Sequence, residues 1–315
     1  MIGLLLRASG FLVTIAVLLV SGFVWMAQQT SGEQLAVVIG WTSGRDSSLQ
    51  LIDLERGAYL ELNQRLPDLI NPNHLAWSSD GRYLAFSAVS LQANTVDVYV
   101  IDFTTMRIHQ QTALGFITHY PTWSPDGEEI AFVSIYQGVS TIHAMPALGG
   151  NPTRPPTLTD SPGLRDARDL HWSPDGESML FTDFDGRGIM AFNRDSRQHN
   201  ILLRSASAQD PRYAPTGTQI SYVHASMQSR DRLGIFITDI NGGPINELRL
   251  GDTRFSPSSP PVWTPDATRI VFAAVHPYDA NIRSINSIDI ESGSVRTHER
   301  LPYQSFPVSL AWRPR

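Results

Sequence analysis

Tryptophan, a Ser-Pro-Asp-Gly turn and then an aliphatic-Ala-Phe strand recur from the first quarter of this chain to its last residues, so the chain is a repeat array. Copies start at Trp77, where Ser79 stands at the proline position, and at Trp123 and Trp172, and Trp123 to Phe132 is the most complete. Altered copies follow at Tyr213, Trp263 and Trp312; the last stops at Trp312-Arg-Pro-Arg315. The six anchors are 46, 49, 41, 50 and 49 residues apart, a period that accommodates four short strands per unit. Within a unit, the sequence predicts a strand ending in Trp, a tight turn, a strand like Leu84-Ala-Phe86, a third like Val96–Ile101 and a fourth like Met106–Gln110. Ser at position i, Pro presetting φ at i+1, Asp next and Gly at i+3 describe a type I turn. Asp80, Asp126, Asp175 and Asp266 are therefore expected to form turns rather than to act as catalysts, and the tryptophans to pack between units.

The two ends of the array are complementary. Leu35–Gly40 and Ser47–Asp53 read as strands with no preceding Trp-turn motif, whereas Val308–Trp312 carries an anchor with nothing after it. Joining strands in residues 34–63 to a strand at 308–312 completes a sixth unit and leaves no open edge.

These residues resemble the TolB-like, WD40-like propeller repeat, whose hallmark is the Trp-Ser-Pro-Asp-Gly turn followed by Ile-Ala-Phe. The resemblance covers roughly residues 34–315 and departs from the pattern at Tyr213, at Ala267 and in the truncated Trp312 copy. It implies an all-β, six-bladed propeller outside the cytoplasm that binds proteins or small ligands at one mouth of its channel.

Ahead of the array, Ala8 to Ala27 carries no charge, and about 20 such residues in a helix span the roughly 30 Å hydrocarbon core. Arg7 precedes the segment and no arginine follows until Arg45, which places the N-terminus in the cytoplasm and the propeller outside. The expected organisation is an N-terminal transmembrane anchor in residues 1–30 and a propeller in residues 31–315. A cleaved signal peptide, giving a secreted protein, is the rival reading.

A net charge of -6 argues against a general nucleic-acid binder, which needs a basic stripe to neutralise phosphates. The absence of cysteine removes disulfides, thiolate nucleophiles and cysteine-ligated zinc together. All 24 cationic side chains are arginine. No His-Glu-x-x-His, Gly-x-Ser-x-Gly or phosphate-cradling loop is present, and the sequence calls for no cofactor or metal. Asp183-Phe-Asp-Gly186 opens like a calcium loop but lacks further acidic ligands at the required spacing, so a hairpin turn is expected.

Ligands reach a propeller where its innermost strands begin, which singles out the residues three and four positions before each anchor. They are Asn73 and His74, His119 and Tyr120, Arg168 and Asp169, Gln209 and Asp210, Ser259 and Pro260, Val308 and Ser309. Ring symmetry gathers them around one funnel, where a solvated polar rim and an acid/base set are competing readings. His171 and Arg212, one position before their anchors, sit deeper. The loops 225–232 and 275–280, the latter with Tyr278, offer further contact points. The expectation is a non-enzymatic scaffold or adaptor of the cell envelope with an envelope-protein partner. The alternative is a glycan- or peptide-acting enzyme, or a small-ligand binder, with its site at the same mouth.

Overall fold

The computed structural model describes residues 33–314, apart from residues 42–45, 55–57, 150–152, 154–156, 159–166, 184–187, 227–232, 251–253, 256–258 and 277. The apolar segment 8–27, most of the loop 225–232 and residues 184–186 of the Asp-Phe-Asp-Gly stretch lie outside the described residues. Among the described residues, no helix is long and apolar enough to cross a membrane.

Six antiparallel sheets make a six-bladed propeller. Blade 1 comprises Leu69–Trp77, Tyr83–Ser90, Val96–Asp102 and Arg107–Gln110. Blades 2 to 5 follow in residues 117–146, 167–203, 209–247 and 254–300. Blade 6 joins the two ends of the array, because Ser305–Trp312 pairs antiparallel with Gln34–Trp41, which continues into Ser48–Asp53 and Ala58–Glu61. Blade 2 has three strands among the described residues, with an isolated bridge from His143 to Thr157 on its outer side.

Each second strand is buried on both faces, which accounts for its continuous apolar run. Leu84 and Phe86 pack toward blade 6, whereas Ala85 between them packs toward blade 2. The core is thus a ring of inter-blade clusters: Ala131, Val133 and Ile142 meet Trp172, Met179 and Phe181 between blades 2 and 3. Leu35, Val37 and Ile39 meet Val271 and Ile285 between blades 5 and 6. Burying a large aliphatic or aromatic side chain contributes about 1.5–3 kcal/mol, so every blade depends on having both neighbours.

The repeated turn is built from three side-chain hydrogen bonds. Ser78 Oγ accepts from the N–H of Tyr83 at 2.9 Å and donates to Asp80 at 2.5 Å, and the Asp80 carboxylate accepts from the N–H of Arg82 at 3.0 Å. The same set recurs at Ser124 with Asp126, Ser173 with Asp175 and Thr264 with Asp266. The serine hydroxyls, with backbone N–H groups behind them, hold the Asp126 and Asp175 carboxyls below their ordinary 3.8. Trp77 and Trp123 donate their indole N–H groups across the blade boundaries, to Ala311 O and Ala76 O, each at 3.1 Å.

The ring closure has its own latch. Arg313 is buried, donates to Gly81 O at 2.8 Å and to Gln34 Oε1 at 2.6 Å, and lies over the Trp77 ring. On the other side, Arg269 of blade 5 pairs with Glu33 at the start of the first described strand.

Position i+3 of these turns lies in the left-handed region, with φ of 64° at Gly81 and 56° at Ala267. A Cβ on Gly81 would stand 2.6 Å from Pro314 O, on the closing strand. Gly81→Ala should therefore destabilise the protein by about 2 kcal/mol, while Ala267→Gly should stabilise it by about 0.5–1 kcal/mol. Urea unfolding of the two variants checks the opposite signs; equal midpoints for both would refute this account of the turn.

Candidate functional site at the propeller mouth

In each of blades 1 to 4, the innermost strand slips register before its anchor. The slips fall between Asn73 and Ala76, His119 and Thr122, Arg168 and His171, and Gln209 and Arg212. Within each slip, the residue three before the anchor has a left-handed backbone: His74 at φ 51°, Tyr120 at 54°, Asp169 at 58° and Asp210 at 54°. Such a conformation costs a non-glycine residue about 1–3 kcal/mol, and four in register around one axis constitute a built feature.

The closing strand of blade 6 also slips register, at Val308, but without a left-handed residue there, and blade 5 differs more. Pro260 cannot adopt positive φ, and the innermost strand of blade 5 is split into Arg254–Phe255 and Val262–Trp263, both pairing with Arg269–Val275. Ser309 is buried in the closing strand, where its hydroxyl accepts from the N–H of Leu75 at 3.0 Å.

The axial cavity has a volume of about 580 Å³. Of the residues singled out by sequence, Asn73, His74, Tyr120, Asp169, Asp210, Ser259, Pro260, Val308 and Ser309 line it. His119 stands beside the lining, with its ring centroid 5.6 Å from His74 and 4.3 Å from Tyr120. Arg168 and Gln209 are not part of the lining. His171 and Arg212 are, and so are the anchor aromatics and, at the far end, Pro125, Pro174, Pro215, Pro265 and Pro314. The anchors therefore pack between blades and also wall the channel. Tyr278 is 93% exposed, away from the cavity.

The lining is unequal around the ring. Blades 1 to 4 contribute the ionisable groups His74, Tyr120, Asp169 and Asp210, and blades 5 and 6 contribute Pro260, Val262, Val308 and Leu310 together with the hydroxyls of Ser259 and Ser309. On blade 1, Ser87 Oγ donates to Asn73 O at 3.2 Å and meets His74 Nδ1 at 2.7 Å. Burial, then His119, then Arg212 and Arg168 hold the His74 imidazole well below the ordinary 6.5, in its neutral form. Burial and then Arg212 lower His171 to about 3, and its Nδ1 accepts from the N–H of Tyr213 at 3.3 Å.

Asp169 and Asp210 meet across the boundary of blades 3 and 4. Asp169 Oδ2 accepts from Thr182 Oγ1 at 3.1 Å and from the N–H of Asp210 at 3.4 Å. Burial first, and then Asp169 beside it, raise the Asp210 carboxyl well above 3.8. Arg212 Nη1 donates to two main-chain carbonyls, Asp169 O at 3.1 Å and Pro211 O at 2.9 Å. Among the described residues, no cluster of three or more His, Asp or Glu side chains is disposed to hold a metal.

Known proteins share this architecture. The TolB beta propeller domain family matches residues 40–233, and the chain belongs to that family. It is 29% identical over 195 residues to the Tol-Pal system protein TolB of Francisella tularensis, covering 59% of this chain and 42% of that protein. It thus spans about two-fifths of the length of that relative. It is 23% identical over 265 residues to an uncharacterised protein of Agrobacterium fabrum, covering 80% of this chain and 83% of the other. The crystal structure of TolB from Acinetobacter baumannii superposes with a TM-score of 0.72 at 19% identity, over 90% of this chain and 67% of that one.

The lowered His171 makes a prediction about pH. A histidine kept neutral in the fold, at about 3 against an ordinary 6.5, contributes stability that is present above 6.5 and is lost as pH falls toward 3. His171→Asn keeps an acceptor near Nδ1 but does not titrate. Its unfolding midpoint should fall less steeply than that of the parent chain between these limits, and parallel curves would remove His171 from the acid response.

Proposed function

We propose that the chain is a membrane-tethered, extracytoplasmic propeller of the cell envelope that receives a segment of an envelope protein at the mouth of its channel, without catalysing a reaction. The observation that carries this reading is the axial cavity of about 580 Å³, lined by ionisable side chains from blades 1 to 4, with a left-handed residue at the equivalent position of each of those blades, and by none from blades 5 and 6. A surface with no role has no reason to retain that strain in four blades. The relatives support the setting, since the matching proteins of Francisella tularensis are Tol-Pal system proteins. The uncharged stretch Ala8 to Ala27, with Arg7 before it, supports the tether and the placement of the propeller outside the cytoplasm.

A second reading rests on the Asp169–Asp210 pair. An Asp210 carboxyl raised well above its ordinary range beside Asp169 supplies a proton donor, which suits a glycan- or peptide-acting enzyme at the same mouth.

Cross-linking in intact membranes followed by capture of the full-length chain tests the first reading. The double variant His74→Asn/Tyr120→Asn strips the mouth of two side chains while asparagine tolerates the left-handed backbone. It should lower capture of a defined partner at least tenfold. Undiminished capture would move the interface elsewhere, and turnover of an envelope polysaccharide or peptide by the purified chain would favour the enzyme.

A further inference from the structure

The proposed function leaves open which way the mouth opens relative to the membrane that holds the tether, and the start of the described chain decides it. Glu33 lies at the turn end of blade 6, where its carbonyl accepts from the N–H of Leu54 at 2.8 Å and its carboxylate pairs with Arg269 of blade 5. Next to it, Gln34 O accepts from the N–H of Arg313 at 2.9 Å, and the Arg313 side chain donates to Gly81 O in the repeated turn of blade 1. The chain therefore enters the propeller between the turns of blades 5 and 1, on the face opposite the mouth. From there Gln34–Trp41 runs toward the mouth, with Leu35 paired to Trp312 near the turn end and Trp41 to Ser305 at the mouth end.

Lengths then set the orientation. Five residues, 28–32, separate Glu33 from the uncharged stretch that ends at Ala27. Whatever path they follow, the links from Ala27 to Glu33 reach at most about 20 Å. Crossing the lipid headgroup layer takes about 5–7 Å of that reach. The eight residues of Gln34–Trp41 rise about 23 Å, so the mouth is farther from Glu33 than the tether extends even in a straight line. The outer route is longer still, because it passes the two outer strands of blade 6, spaced about 5 Å apart, before it climbs to the mouth. A mouth laid against the bilayer would require about 30 Å or more, which the linker does not possess.

We infer that the anchoring membrane lies on the side of the turn face, with the entry point at Glu33 nearest to it, and that the mouth opens away from that membrane to receive a segment of a protein not embedded in the same bilayer. The inference rests on the reading of residues 8–27 as a retained tether. The linker sets an upper limit on distance: Glu33 stays within about 15 Å of the headgroups, whereas the rim of the mouth stands a strand's length beyond. A partner anchored in the same membrane would have to carry its docking segment over the top of the propeller. One held in the space or layer beyond meets the mouth directly.

The chain contains no cysteine, so a single introduced cysteine carries a unique label. The test uses the full-length chain in phosphatidylcholine vesicles whose headgroups bear an acceptor dye, with a donor dye at one of four exposed positions. Glu291→Cys and Thr105→Cys mark the turn face of blades 5 and 1, and Tyr278→Cys and Gln92→Cys mark the mouth-end hairpins of the same two blades. In both blades, energy transfer to the lipid should be about twofold or more stronger from the turn-face label. A glycine-serine insert of about 40 residues after Gly32, with a mean span of about 35 Å, should erase the difference. Equal transfer from the two faces, stronger transfer from the mouth labels, or a difference that survives the insert would overturn the inference. Unchanged circular dichroism and unfolding midpoints confirm that the labelled variants fold. Flotation of the vesicles separates the two levels of the reading. A chain that does not float with them refutes the tether and this inference together, whereas a chain that floats with equal transfer from both faces refutes the orientation and leaves the tether standing.

Discussion

Every blade of this protein has two apolar faces and can cover neither by itself. Leu84 and Phe86 face one neighbour and Ala85 the other, so the sheets are stable only as members of a closed ring. That requirement explains the pairing of Ser305–Trp312 with Gln34–Trp41, and the buried Arg313 that ties the last residues to Gly81 and Gln34. An open array would expose two apolar faces and two strand edges at once, each a site for aggregation.

Ring closure also creates the channel, and with it the positions at which the innermost strands can depart from regular pairing. A left-handed residue in mid-strand breaks the ladder and turns its side chain out of the alternating pattern. Blades 1 to 4 place a left-handed residue at equivalent places, whereas Pro260 of blade 5 cannot adopt positive φ and the closing strand of blade 6 slips register at Val308 without a left-handed residue. A nearly symmetric scaffold thereby lines its channel with ionisable side chains from four blades and with none from the other two. The carboxyl pair arises in the same way, from two left-handed aspartates on adjacent blades.

The number of blades and the structure of the turns were legible in the sequence, because each rests on local chemistry. Ser-Pro-Asp-Gly encodes its own hydrogen bonds within six residues, and the anchors mark one period per blade. The mouth was legible only as a set of positions. Which residues face the cavity depends on backbone conformation: Asp169 and Asp210 line it, while Arg168 and Gln209, one position earlier, do not. A signal was present, since His and Asp are among the residues most tolerant of positive φ, but residue type alone does not distinguish a left-handed bulge from a regular strand. Arg212 and His171 gained their roles from the neighbouring blade, through Asp169 O and the N–H of Tyr213.

Sequence by itself determined the repeat, the all-β class, the six blades, the turn chemistry and the exclusion of cysteine-based chemistry. These follow from period and composition, which need no partner distant in the chain. Tertiary structure alone decided which residues line the channel, that His74 and His171 are neutral, and that the Asp210 carboxyl is raised above its ordinary range beside Asp169. Those properties come from side chains some forty residues apart, or from opposite ends of the chain, brought together where enclosure strengthens every charge.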